Sequence, residues 1–234
     1  GTQRGTRFYP IISGVARSLN YYPIGDEKPE EGVVSLALGL GKYIVDGGLT
    51  LRVCPYHPHQ VLQTSEMDIA LRETQTQFYA LDMKNVGANF SIDDGFNILK
   101  LHIKEAEAEG ALNYIASTYD PYDMVIHDGI WPGGRKLVTF ANILQHDAFP
   151  LAKILQLVQT YGKSEMRRPV EIEFLVKDST KAGAQRVSAS VDRETMKILG
   201  KMDRIQAKID KLRSTNNEAL DQAQNIAEIQ KLES

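Results

Sequence analysis

The last aromatic residue in the chain is Phe174 and the last proline is Pro169, yet the sequence continues to Ser234. Aromatic side chains supply much of the buried area of a globular core, so their sudden absence marks a boundary. Residues 1–176 are expected to form one domain, residues 177–190 a linker and residues 191–234 a helical tail. In the tail, Val191, Ile198, Met202, Ile205, Ile209 and Leu212 recur on four- and three-residue steps, with Thr195 as the interruption. That is the a/d seam of a coiled coil. The polar run Ser214-Thr215-Asn216-Asn217 breaks it, and Leu220, Ala223 and Ile226 predict a second, shorter helix. One helix cannot bury such a seam, so it must find a partner, by docking onto the first domain or by self-association, and a homo-oligomer formed through the tail is the expected outcome.

Ahead of the boundary, short β-type runs alternate with Gly, Pro and Asp turns, the pattern of an α+β domain. Residues 7–18 read as a strand with Pro10 as a turn and Ser13-Gly14 near its middle, and residues 21–31 as a loop. Residues 33–38 are an apolar run suited to a buried strand, leading into Gly39-Leu40-Gly41 and a short helical turn over 42–46. Further strands are expected at 49–53, 78–83, 98–103 and 124–126. Residues 151–159 form the clearest helix: Leu151, Ile154, Leu155 and Val158 keep one-face spacing, Asp147 and Pro150 suit its start, and Gly162 suits its end. Residues 170–176 read as a strand with Glu171 and Glu173 on one face. This strand and the one at 33–38 are expected to be neighbours in or near one central sheet.

Composition narrows the functional classes. The chain carries 27 Lys+Arg against 30 Asp+Glu, a net charge of -3, so it lacks the basic field that neutralising a phosphate backbone requires, and no nucleic-acid partner is expected. No run approaches the roughly 18 apolar residues of a membrane span, and residues 1–7 lack the apolar core of a signal peptide, so no membrane partner is expected. A single cysteine, Cys54, excludes a disulfide framework and, read from sequence alone, a thiolate metal site. A reducing cytoplasm is the expected location.

Two carboxylates at i and i+2 of a strand point the same way, so Glu171 and Glu173 can share one divalent cation or lie on a solvated face. Gly39 and Gly41 let the backbone turn after a buried strand and approach a ligand, with helix-start amides ready for an anion, or serve as a plain strand-to-helix turn. The segment is not a P-loop, since Lys42 is followed by Tyr43. His57-Pro58-His59 invites a metal reading, but in a Pro-rich turn without a nearby Cys or acidic cluster it reads as a surface loop. His127-Asp128 and His146-Asp147 could each be oriented bases, but read as turns or caps, because adjacent strand residues face opposite ways. Trp131-Pro132-Gly133-Gly134-Arg135 reads as an exposed turn. Arg167 and Arg168 either face an anion or solvate the entry to the last strand.

Several segments together resemble the phosphoenolpyruvate synthase and pyruvate, phosphate dikinase family. They are Phe8-Tyr9-Pro10-Ile11-Ile12-Ser13-Gly14-Val15-Ala16-Arg17-Ser18, Leu38-Gly39-Leu40-Gly41-Lys42-Tyr43-Ile44-Val45-Asp46-Gly47-Gly48, Tyr21-Tyr22-Pro23-Ile24-Gly25, Gln77-Phe78-Tyr79-Ala80-Leu81-Asp82, and Pro169-Val170-Glu171-Ile172-Glu173-Phe174. The resemblance implies a partial ATP-grasp nucleotide-binding domain with a mixed sheet over residues 1–176. It implies ATP and magnesium as ligands, Ser13, Gly14, Gly39, Gly41, Glu171 and Glu173 as binding residues, and Glu171 and Glu173 as metal ligands. Lys42 departs from the family's usual Glu. The family's Gln-x-Arg-Pro return, phosphohistidine motif and pyruvate barrel are not found in this sequence, so the chain alone is expected to be inactive in phosphoryl transfer. Two readings follow. One is a nucleotide-binding subdomain of such a phosphotransferase. The other is a non-catalytic interaction protein on a degenerate ATP-grasp half, its tail driving oligomerisation or joined from an unrelated coding segment.

Overall fold

The computed structural model describes residues 7–83 and 97–176. The expected linker at 177–190 and the helical tail at 191–234 lie outside the described residues. Pro10 decides how the described part starts. It has no N–H for a ladder, and the single strand expected over 7–18 is divided there into β1 (Arg7–Phe8) and β2 (Ile12–Arg17). The two strands join different sheets.

From β2 the chain passes through a loop closed by a 3-10 turn at Pro29–Glu31 into β3 (Val33–Ala37), then through the short helix α1 (Lys42–Val45) to β4 (Leu51–Val53). Helix α2 (Met67–Glu73) precedes β5 (Gln77–Asp82), and β6 (Ile98–His102) runs directly into α3 (Ile103–Ala108). The strands β7 (Ala116–Asp120), β8 (Val125–Asp128) and β9 (Arg135–Val138) follow, then helices α4 (Ala141–Leu144) and α5 (Leu151–Met166), and finally β10 (Glu171–Val176). Three sheets result, with strand orders β1-β5-β6, β10-β2-β3-β4 and β8-β7-β9. The α+β class is therefore as expected, and the strands at 33–38 and 170–176 share one sheet with β2 between them.

Every described pairing is antiparallel, which corrects the expected mixed sheet among these residues. A parallel neighbour needs a crossover lying along the sheet face, and α1, the helix between β3 and β4, is only one turn long. Leu36, Val53, Phe78, Ile115, Phe140 and Leu151 are nearly fully buried in one cluster that draws on all three sheets' surroundings. Burying side chains of this size contributes about 1.5–3 kcal/mol each.

Helix α5 starts at Leu151 as expected but runs past Gly162 to Met166, and Arg167 ends it at φ 52°. Gly162 has a packing role instead of a capping one. A Cβ there would stand 2.9 Å from Val170 Cγ2 and 3.3 Å from Ile172 Cδ1, so the missing side chain lets β10 lie close to the helix. The helix is also rotated from the expected face: Leu151, Leu155 and Gln159 are buried, and Val158 is exposed. Gln159 fits there because its Nε2 donates to the Arg17 carbonyl at 2.9 Å. Among the described residues, no helix is long and apolar enough to cross a membrane.

Candidate functional site

The register of β10 on β2 sets the geometry of the acidic pair. Glu171 lies opposite Arg17, Glu173 opposite Val15, and Leu175 opposite Ser13, while Phe174 lies opposite Gly14. Directly opposed residues share a face, so Glu171, Glu173 and Ser13 belong to one face of the sheet and Gly14 to the other. Arg17 Nε donates to Glu171 Oε2 at 2.7 Å, and both side chains are about half exposed. The guanidinium thus already offsets one carboxylate. Glu173 forms an ion pair with no described residue. The pair still offers the oxygen donors a hard cation takes, with one oxygen of Glu171 held by Arg17. Beside them is a shallow cleft of about 210 Å³ lined by Arg17, Leu19, Tyr21, Pro169, Val170 and Glu171.

Ser13 is buried, and its hydroxyl donates to the Gly39 carbonyl. The β2 strand and the turn after β3 are therefore joined here by a hydrogen bond. Gly39 has φ 92°, and a Cβ on it would stand 2.6 Å from the Tyr79 carbonyl oxygen, so the turn after β3 admits only glycine without strain. Gly14 sits under the Phe174 ring on the core side. A Cβ on Gly41 would meet nothing within 4 Å, which leaves its backbone open to approach.

The hydrogen bonds of the next turn take up part of the glycine segment's capacity to hold an anion. The amides of Tyr43 and Ile44 donate to the Leu40 and Gly41 carbonyls at 3.0 and 2.9 Å, so the turn itself consumes them. Lys42 Nζ binds Asp46 Oδ1 at 3.1 Å, one turn along its own helix, which partners its charge locally.

Two histidine readings also change. Asp128 does not act with its sequence neighbour His127. Its Oδ2 accepts from His146 Nε2 at 2.9 Å and its Oδ1 from Ser117 Oγ at 3.2 Å, while His127 lies against the Trp131 ring with centroids 4.9 Å apart. Alternation on β8 turns the two side chains to opposite faces, as the sequence indicates, but the partner of Asp128 is 18 residues away. The second change concerns His57. It does not stand in a loop remote from other donors: its Nε2 donates to Glu31 Oε2 at 3.0 Å, and Cys54 Sγ stands 3.9 Å from the same oxygen. Cys54 is fully buried, and burial pushes its thiol above the usual range while backbone amides of Tyr56 and His57 oppose that shift. The Lys28 amide, more than His57, holds the Glu31 carboxyl below its usual range. The Cys54-x-x-His57 spacing was the available signal. Glu31 comes from the other side of β3 in sequence, and only the sheet brings it there.

No family model, no curated protein and no solved structure matches this chain.

Proposed function

We propose that this chain is the nucleotide-binding part of a phosphoenolpyruvate synthase-like phosphotransferase, binding ATP with Mg²⁺ at the face of the sheet that carries Glu171 and Glu173. The observation that carries this reading is the β10–β2 register, which sets the acidic strand beside the Ser13-Gly14 strand, itself tied to Gly39 through the Ser13 hydroxyl. Segments separated by more than a hundred residues and resembling one domain converge on one sheet. In this reading Glu173 and the free side of Glu171 hold the metal, Arg17 and Tyr21 lie beside the nucleotide, and the backbone at Gly41 approaches its phosphates. Two carboxylates leave most of the cation's sites to water and phosphate, so affinity falls in the weak range of poorly caged hard cations. Calorimetric titration of MgATP into the full chain tests the reading: measurable binding that Glu173→Gln weakens supports it, and equal heats from both proteins defeat it.

A second reading has its own observation. The Ser13 hydroxyl and the Glu171 carboxylate are both satisfied within the protein, by Gly39 and Arg17, which is what a scaffold that has lost its ligand would need. Under that reading the chain is a non-catalytic oligomerisation protein assembled through its tail. Light scattering on wild type and on Ile205→Asp with Ile209→Asp separates the readings. An oligomer dissociated by the double substitution, together with no MgATP binding, favours the scaffold.

A further inference from the structure

We propose that Glu31, Cys54 and His57 form a Zn²⁺ site, with three protein ligands and a fourth position left for water or an added ligand. These donors are distinct from the acidic pair on β10, so this site stands or falls independently of nucleotide binding. The geometry begins with a turn. At the end of β4, Cys54-Pro55-Tyr56-His57 closes on a hydrogen bond from the His57 amide to the Cys54 carbonyl at 3.0 Å, with Pro55 fixing the bend. This sets the thiol and the imidazole together.

The third donor arrives on the 3-10 turn at Pro29–Glu31, where Glu31 Oε2 accepts from the Lys28 amide at 2.9 Å and is thereby oriented. The sulfur, the nitrogen and the oxygen all lie within 4.8 Å of one another, at 3.0 Å for His57 to Glu31 and 3.9 Å for Cys54 to Glu31. A tetrahedral Zn²⁺ with bonds of about 2.0–2.3 Å holds its ligand atoms roughly 3.3–3.7 Å apart. The His57–Glu31 and Cys54–Glu31 separations are therefore within a few tenths of an ångström of that arrangement before any metal enters.

Both arms of the cluster are also pinned to α5. Gln156 Nε2 donates to the Pro55 carbonyl and Lys163 Nζ to the Glu30 carbonyl, each at 2.7 Å. The donor chemistry selects the ion: thiolate, imidazole and carboxylate together suit Zn²⁺, whereas Mg²⁺ takes oxygen alone. Charge also balances. On binding, Cys54 releases one proton to solvent, Glu31 is already ionised and His57 binds as neutral imidazole, so the two ligand charges cancel the metal's two.

Metal-depleted full chain titrated with Co²⁺, and with Zn²⁺ in competition with a chromophoric chelator, tests the site. One equivalent of Co²⁺ is expected to produce a thiolate-to-cobalt charge-transfer band, which Zn²⁺ displaces. Cys54→Ser removes the band, and Glu31→Gln and His57→Gln each weaken Zn²⁺ binding at least tenfold. His59→Gln, in the same Pro-rich turn, leaves binding unchanged. Should Cys54→Ser fail to fold by circular dichroism, His57→Gln decides, since its ring is partly exposed. The proposal is overturned if wild type shows no charge-transfer band, or if His57→Gln binds Zn²⁺ as wild type does.

Discussion

Gly14 and Phe174 face each other across the β2–β10 pair, and the phenyl ring occupies the space a side chain at position 14 would need. This contact joins the start of the domain to its last described strand. Phe174 thereby packs against the core through a gap that only glycine leaves open.

Gly14→Ala is therefore expected to destabilise the protein by about 1–3 kcal/mol, the usual cost of forcing extra volume into a packed site. Denaturant unfolding measures it. Combining Gly14→Ala with Phe174→Leu should recover part of the loss, and purely additive effects would show that the two residues do not share the space.

Ser13→Ala leaves the Gly39 carbonyl without its hydroxyl donor in a buried setting, for a loss of about 1–3 kcal/mol. Thermal unfolding should show a lower transition temperature, with far-ultraviolet circular dichroism unchanged. A stability equal to wild type would mean that the turn after β3 does not depend on this bond.

The β4 strand and its turn are legible in the sequence, as are β3, β5, β6 and the start of α5, because each carries apolar residues at the matching spacing with Gly, Pro or Asp at or near one end. The relation of Glu171 to Glu173 is legible too, since alternation along one strand is local. Which distant residue meets which is not. Arg17 opposite Glu171, Asp128 with His146, and Glu31 with the Cys54–His57 turn all depend on strand order, and no local spacing encodes it. The full length of α5 is hidden because Gly162 resembles a helix stop until Val170 and Ile172 are packed against it. The split at Pro10 obeys a local rule, but that rule matters only once a second sheet exists to receive β1.

Alkaline stability depends on Tyr9. Burial first, and then the hydrogen bond from its hydroxyl to Glu109, push the phenol well above its ordinary pKa of 10. The unfolded chain loses this proton from about pH 10 while the folded protein keeps it, so stability present below that pH is lost as pH rises toward the folded value. Tyr9→Phe should flatten this part of the decline in a denaturation series run from roughly pH 9 to 11.5. Parallel profiles for the two proteins would remove Tyr9 as the cause.

Glu27 is almost wholly buried, and its carboxylate accepts from Asn20 Nδ2 at 2.9 Å and the Ile24 amide at 3.0 Å, with Arg52 at 3.8 Å. Glu27→Ala strands those donors and is expected to cost about 3 kcal/mol or more, as for other broken buried pairs. Hydrogen exchange should then rise first in the loop between β2 and β3. Exchange unchanged there would place the loop's order elsewhere.

The central claim is that Glu171 and Glu173 present a cation and its nucleotide on the sheet face they share. Water-proton relaxation enhancement by Mn²⁺, titrated with and without ATP into wild type and Glu173→Gln, measures it most directly. The account predicts enhancement in the millimolar range for wild type, strengthened by ATP and largely lost in Glu173→Gln, as expected of weakly caged oxygen sites. An identical response from the two proteins would contradict it.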